Sequence, residues 1–258
     1  MFMEERHREI AETIREQGKI TVAEIVAKYG ISDESARRDL RLLEQKGICK
    51  RTHGGAIAPQ QVSVRPPVDR DFKTMPIFDN YREIARVGAS MIRKNDVVYL
   101  TGGSFGYLML SFLPRDISYT VVVNNVDIAK ELRAFGNIDT YLAGGKMRQS
   151  GSVVDSLATD FISRLHFDLC FITGAGLTAE FGLSNGTDET ATFQRTVIRN
   201  SKKRYLLMPS GKVGINSFIK VCNVEEFHSV ITDWDCVEEQ ISAIEDKGVT
   251  VTVVDEPT

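Results

Sequence analysis

Between Thr21 and Tyr29 the apolar residues Val22, Ile25, Val26 and Tyr29 recur at i, i+3, i+4 and i+7, the single stripe of an amphipathic helix. Thr21 is placed to cap its start and Gly30 to stop it. Ser32 predicts the cap of a second helix, whose Ala36, Leu40 and Leu43 again share one face. At about 100° per residue, Glu34, Arg37, Arg38, Arg41 and Gln45 then project from the opposite face. Asp39 lies at the core edge, where a cation inside the domain would pair with it; Leu42 falls off the stripe. Upstream, Glu4 to Gln17 reads as a helix with Ile10 and Ile14 turned inward and glutamates turned out. Ile48 to Ala58 alternates loosely and turns at Gly54 and Gly55, which predicts a β-wing.

Beyond residue 76 the pattern changes to strand and helix in alternation. DVVYL, YTVVV, IDTYLA, DLCFIT, RYLLM, SVITD and TVTVV read as strands. A segment near Tyr81 to Ile92, then FGYLMLSFL, VDIAKELRAF, DSLATDFISRL, ETATFQRTVIRNS and CVEEQISAIEDKG, read as helices. This alternation predicts an α/β domain with a mostly parallel sheet. Pro59, Pro66, Pro67 and Pro76, four of the seven prolines, lie between the two patterns. The expected division is 1–58 as a winged helix-turn-helix domain, 59–76 as a linker and 77–258 as an α/β domain.

A chain of 258 residues with 42% apolar content is large enough for two cores. A formal net charge of −3 argues against nonspecific coating of nucleic acid, so any DNA-binding surface has to be a local patch. Cys49, Cys170, Cys222 and Cys236 are widely spaced and form no ligand pattern with His7, His53, His166 or His228, so neither a disulfide framework nor a metal site is expected. No cofactor is expected. With no long apolar run and a charged N-terminus, the expected location is the cytoplasm, with no membrane partner.

The local basic patch is the arginine face of the second helix. Arg37, Arg38 and Arg41 are either a solvated helix face or a reading face for the major groove, where Arg pairs bidentately with guanine. The adjoining wing favours the second. Lys50 and Arg51 stand there without an acidic neighbour, so cations and backbone N–H groups hold phosphates while the helix reads bases. The candidate DNA contacts are Ser32, Glu34, Ser35, Arg37, Arg38, Arg41, Lys50, Arg51, His53 and Gly54. His53 serves equally as a turn residue or a phosphate contact.

Thr21 to Ala56 resembles the N-terminal domain of DeoR-type bacterial transcriptional regulators, through the Arg37-Arg38-Asp39-Leu40 helix and the His53-Gly54-Gly55-Ala56 wing. Ser35-Ala36 stands where many members carry Thr-Ile.

In the second domain, four glycine-bearing turns each follow a predicted strand: Thr101-Gly102-Gly103-Ser104, Gly144-Gly145-Lys146, Thr173-Gly174-Ala175-Gly176 and Ser210-Gly211-Lys212. An open parallel sheet crowds such turns at its carboxyl edge, where ligands bind in this architecture. The first turn also precedes an apolar helix, whose N–H groups suit an anion. Asn124 and Asn125 stand where they either meet ligand hydroxyls or cap a helix. Lys146 and Arg148 either meet an acidic group or are solvated; Glu189 begins a helix, where its charge is favourable without a ligand. Lys212 reads as an anion contact.

The same region resembles the effector domain of the DeoR family, related in fold to ribose-phosphate isomerase and glucosamine-phosphate deaminase. The resemblance implies a sensor of phosphorylated sugars or related acidic metabolites, with landmarks at Gly103-Ser104, Asn124, Gly144-Gly145, Gly176, Gly182-Leu183, Glu189 and Lys212. The candidate effector contacts are Thr101, Gly102, Gly103, Ser104, Phe105, Asn124, Gly144, Gly145, Lys146, Gly174, Gly176, Glu189 and Lys212. Thr101, Phe105 and Pro209 depart from the family pattern and are expected to remove a hydroxyl and carboxylates from the pocket. The function expected is a homo-oligomeric repressor of a carbohydrate-utilisation operon that binds double-stranded operator DNA under the control of such an effector. The alternative is a sugar-phosphate isomerase or deaminase with a DNA-binding appendage, for which Glu189, Asp188 and Asp155 are the candidate acid–base groups.

Overall fold

The computed structural model describes residues 3–17, 19–45, 48–52, 54–57 and 79–257. His53 and the proposed linker from Pro59 to Pro76 lie outside the described residues. Those that are described fall into two compact units, one on either side of 58–78 in sequence.

The first unit contains α1 (Met3–Gln17), β1 (Lys19–Thr21), α2 (Val22–Tyr29), α3 (Asp33–Gln45), β2 (Lys50–Thr52) and β3 (Gly55–Ile57). The capping predictions hold. Thr21 Oγ1 accepts from Glu24 N while Glu24 returns a bond from the Thr21 backbone, and Gly30 closes α2 in the left-handed conformation. Ser35 N donates to Ser32 Oγ at the start of α3. Ile10, Ile14, Ile20, Val22, Ile25, Ala36, Leu40 and Leu43 form one core. Leu42, off the stripe, is half-buried.

One strand was not foreseen. β1 joins β2 and β3 in an antiparallel sheet of order β1-β3-β2, so the wing is stitched to the segment preceding α2. Gly55 is required at this seam, because a side chain there would collide with the Ile20 carbonyl.

The second unit is a three-layer α/β/α arrangement. Its strands are β4 (Val97–Leu100), β5 (Tyr119–Val123), β6 (Ile138–Leu142), β7 (Phe167–Ile172), β8 (Gly176–Thr178), β9 (Gly182–Asn185), β10 (Ser201–Leu207), β11 (Ile219–Cys222), β12 (Ser229–Thr232) and β13 (Thr250–Val253). Its helices are α4 (Asp79–Ala89), α5 (Ser104–Met109), α6 (Val126–Leu132), α7 (Ser156–Ser163), α8 (Asp188–Arg199) and α9 (Glu238–Glu245). Seven strands make a wholly parallel sheet in the order β13-β12-β10-β7-β4-β5-β6.

Period-two alternation splits the strand residues between two cores. Val98, Leu100, Val121, Val123 and Phe171 pack with residues of α4, α5 and α6. Tyr99, Val122, Cys170, Ile172 and Leu206 pack with residues of α7, α8 and α9 on the other face. All seven strand segments read from the sequence lie in this sheet. The small antiparallel sheet β11-β9-β8 was not anticipated. The helix read over FGYLMLSFL is shorter than expected, its helical part ending at Met109.

Candidate DNA interface and effector site

On α3 the burial pattern separates core from reading face. Ala36, Asp39, Leu40 and Leu43 are buried, whereas Glu34, Arg37, Arg38 and Arg41 are exposed, as is Ser32 before the helix; Ser35 is half-buried. Arg37 lies 4.0 Å from Asp33 one turn back. An exposed pair of that kind is worth little and yields readily to phosphate or a base edge.

The wing divides its two cations. Lys50 is exposed, but Arg51 is half-buried, with its backbone N–H on Glu44 Oε1 at 2.7 Å and its guanidinium 3.9 Å from the same carboxylate. Arg51 therefore braces the wing against α3, a tie that the spacing gave no sign of. Gly54 is exposed, and its carbonyl accepts from Val22 N at 2.8 Å.

Asp39 is the one carboxylate on α3 with no exposure. It accepts from Arg6 Nε at 2.7 Å, and His7 Nε2 is 3.0 Å from its other oxygen. Burial pushes its pKa up, but the hydrogen bonds from Arg6 and His7 outweigh burial and hold it below the ordinary aspartate value.

In the second unit, strand order reverses at β4: β5 and β6 lie on one side of it, β7, β10, β12 and β13 on the other. The loops after β4 and β7 flank this switch point, the position at which an open α/β sheet leaves a crevice. Gly103 faces the Thr173 methyl, 3.6 Å from where a Cβ would stand. Lys212, from the loop after β10, donates to the Gly174 carbonyl at 3.1 Å, and Gln194 of α8 donates to the Thr173 carbonyl at 2.8 Å. Gly102, Gly103, Ser104, Gly174 and Lys212 are thus gathered by three strand ends, with Gly176 buried at the start of β8. Thr173 was read as part of this turn but not among the candidate contacts, and Gln194, which braces it, was missed; Gln194 sits mid-helix and carries no local signal.

Several expected contacts are scaffolding instead. Phe105 is buried and stacks on Tyr81, with ring centroids 5.1 Å apart, so it fills the core under α4 and does not face the loops. Thr101 is also buried. The Asn124 amide is spent internally, accepting from the Tyr99 hydroxyl at 2.9 Å and donating to Val153 O at 3.0 Å. Asn125 caps α6 and ties together the Gly102 and Ser150 carbonyls.

The Gly144-Gly145-Lys146 turn, after the edge strand β6, is exposed. Gly145 has φ 148°, where a side chain would also strike Asp155. The Asp155 carboxylate accepts from Lys146 N and Ala158 N, bonds that hold its pKa below the ordinary value. Asp155 is accordingly the cap of α7 and is not poised as a base. Glu189 is exposed and faces Arg148 at 3.5 Å, while Arg148 also donates to Thr190. At Pro209 a carboxylate does reach the loop, from a different strand: buried Asp233 accepts from Ser210 N at 2.8 Å and from Asn80 at 3.2 Å.

Residues 6–62 match the family model described as the DeoR-like helix-turn-helix domain, and residues 79–234 match the DeoR C terminal sensor domain. Three curated relatives align over nearly the whole chain. An uncharacterized HTH-type transcriptional regulator, YulB, from Bacillus subtilis is 28% identical over 98% of both chains. The HTH-type transcriptional regulator GlpR of Haloferax volcanii is 29% identical over 97% of this chain and 98% of the relative. A lactose phosphotransferase system repressor of Staphylococcus aureus is 29% identical over 95% and 97%. Among solved structures, ribose 5-phosphate isomerase A from Methanocaldococcus jannaschii superposes with a TM-score of 0.38 and 12% identity over 52% of this chain and 53% of that one.

Proposed function

This chain belongs to the DeoR family of transcriptional regulators, and on that premise we propose that it represses a carbohydrate-utilisation operon under the control of a phosphorylated sugar or a related acidic metabolite. Residues 1–58 are the DNA-binding domain, 59–76 the linker and 77–258 the effector domain. Arg37, Arg38 and Arg41 read the operator, and Lys50 anchors phosphates. The chain acts in the cytoplasm as a homo-oligomer, whose symmetry pairs two operator half-sites.

The observation that carries this reading is the convergence of three strand-end loops at the sheet's switch point, with Gly103 facing Thr173 and Lys212 held on Gly174. A cationic side chain there suits a phosphate or carboxylate, and the small residues around it admit a compact ligand. Gly102, Gly103, Ser104, Gly174 and Lys212 form the effector site proper.

The test pairs two measurements. A duplex selected by the protein from a randomised pool serves as operator, and its affinity is measured with and without each of glucose 6-phosphate, fructose 6-phosphate, fructose 1-phosphate, ribose 5-phosphate and inorganic phosphate. At least one sugar phosphate is expected both to raise the melting temperature and to weaken the selected complex. If the protein selects no sequence, the DNA-reading assignment fails. If it selects a sequence whose affinity none of these sugar phosphates alters, the proposed effector class is wrong.

A further inference from the structure

We propose that Asp39 is a positioning residue for operator recognition: with Arg6 and His7 it fixes the rotation of α3, so that the arginine face meets the groove in register. Three observations converge on this. Asp39 is wholly buried on the helix whose other face carries Arg37, Arg38 and Arg41. Both partners come from α1, more than thirty positions away in sequence, and each takes a different carboxylate oxygen: Arg6 Nε at 2.7 Å on Oδ2, His7 Nε2 at 3.0 Å on Oδ1. Both partners are themselves largely buried, with side-chain exposures of 11% for Arg6 and 7% for His7.

The packing of Ala36, Leu40 and Leu43 holds α3 to the core but is non-directional. A carboxylate gripped by two donors from one neighbouring helix is directional, and a charge-assisted pair of this kind fixes geometry as well as contributing energy. Arg38 directly precedes Asp39 and Arg41 follows it by two, so a rotation of α3 that strained the Asp39 bonds would swing both guanidinium groups away from their bases. The Arg6 guanidinium is, by the same geometry, spent on Asp39 and withheld from phosphate.

That second consequence makes positioning distinguishable from simple stabilisation. Asp39→Asn removes a negative charge from the DNA-binding unit and weakens the hold on Arg6. Nonspecific binding, which responds to charge, is then expected to stay level or rise, while binding to a selected sequence falls. The full-length chain and its Asp39→Asn variant are titrated against the duplex selected by the wild type and against poly(dI-dC), at one fixed salt concentration. The expected result is a loss of about tenfold or more on the selected duplex, the scale of a misplaced base contact, with no loss on poly(dI-dC). Losses of equal size on both duplexes reflect a falling folded fraction and overturn the proposal, as does unchanged binding to both. Should Asp39→Asn fail to fold, Arg6→Gln leaves the His7 contact in place but removes a cation, so it is expected to lose clearly more affinity for the selected duplex than for poly(dI-dC), and equal losses on the two overturn the proposal. The inference depends only on DNA binding, so its outcome is independent of the effector reading.

Discussion

Removing Arg38 or Arg37 as alanine is expected to cost about 1–3 kcal/mol of operator affinity and to relax preference at one base position. Both are exposed on the face opposite Ala36, Leu40 and Leu43, so the fold should be untouched. Lys50→Ala should behave differently, weakening all duplexes alike and lowering the salt slope by about one unit. Titrations at several salt concentrations separate the two classes, and identical slopes for all three variants would remove the distinction drawn between helix and wing. Asp39 adds an acid-sensitive term in the same unit. Its pKa is lowered in the folded chain, so its contribution to stability is complete above the ordinary aspartate value and is lost as pH falls through the lowered one. Melting the protein between neutral pH and pH 3 should show Asp39→Asn converging on the wild type at the acid end. Phe105 offers the reverse case to the arginines, a residue in the first turn of α5 whose role is packing. Phe105→Ala should cost about 3–5 kcal/mol of stability, while Phe105→Leu keeps any effector response.

Elements with strong local signals were legible in the sequence, and those made by distant partners were not. α2 was bounded correctly because Thr21, Glu24 and Gly30 write both of its ends within ten residues, and α3 because Ser32 and a clean apolar stripe do the same. The seven strands of the parallel sheet announced themselves as short runs rich in apolar residues, the inner five mostly buried and the edge strands β6 and β13 more exposed. β1 (KIT), β8 (GLT), β9 (GLSN) and β11 (IKVC) were missed because none is a continuous apolar run and each is defined by its pairing. The effector loops show the same division. Their glycines marked where the turns fall, but which side chains face them depends on strand order. Hence Gln194 was overlooked, Asn124 and Phe105, placed among the candidate effector contacts, are buried, and Asp233 supplies the buried carboxylate beside Ser210. A prediction at this scale concerns the turn itself: Gly103→Asp sets a carboxylate against Thr173, and should abolish the effector response while leaving operator affinity intact. A preserved response would place the ligand elsewhere.

For the whole molecule, the proposed repressor requires that occupation of the α/β unit alter the free energy of DNA binding by the other, a coupling of about 1–3 kcal/mol in proteins of this kind. An effector with equal affinity for the DNA-competent and DNA-incompetent states shifts nothing, however tightly it binds. The coupling must also be reciprocal. If a sugar phosphate weakens operator binding by some factor, saturating operator must weaken sugar-phosphate binding by that same factor. Calorimetric titration of the effector into free and operator-saturated protein therefore predicts the operator result without a second free parameter. Lys212 gives the cycle its control. Its ammonium rests on Gly174 at the switch point and belongs to neither the reading helix nor the wing, so Lys212→Ala should leave operator affinity in the absence of effector unchanged. In that variant the effector should bind weakly to the free and the DNA-bound protein alike. Weak effector binding with the coupling factor intact would mean that Lys212 holds the ligand but does not sense it. The distinguishing interaction would then have to come from another of the gathered loops, with the one after β4 the first to alter.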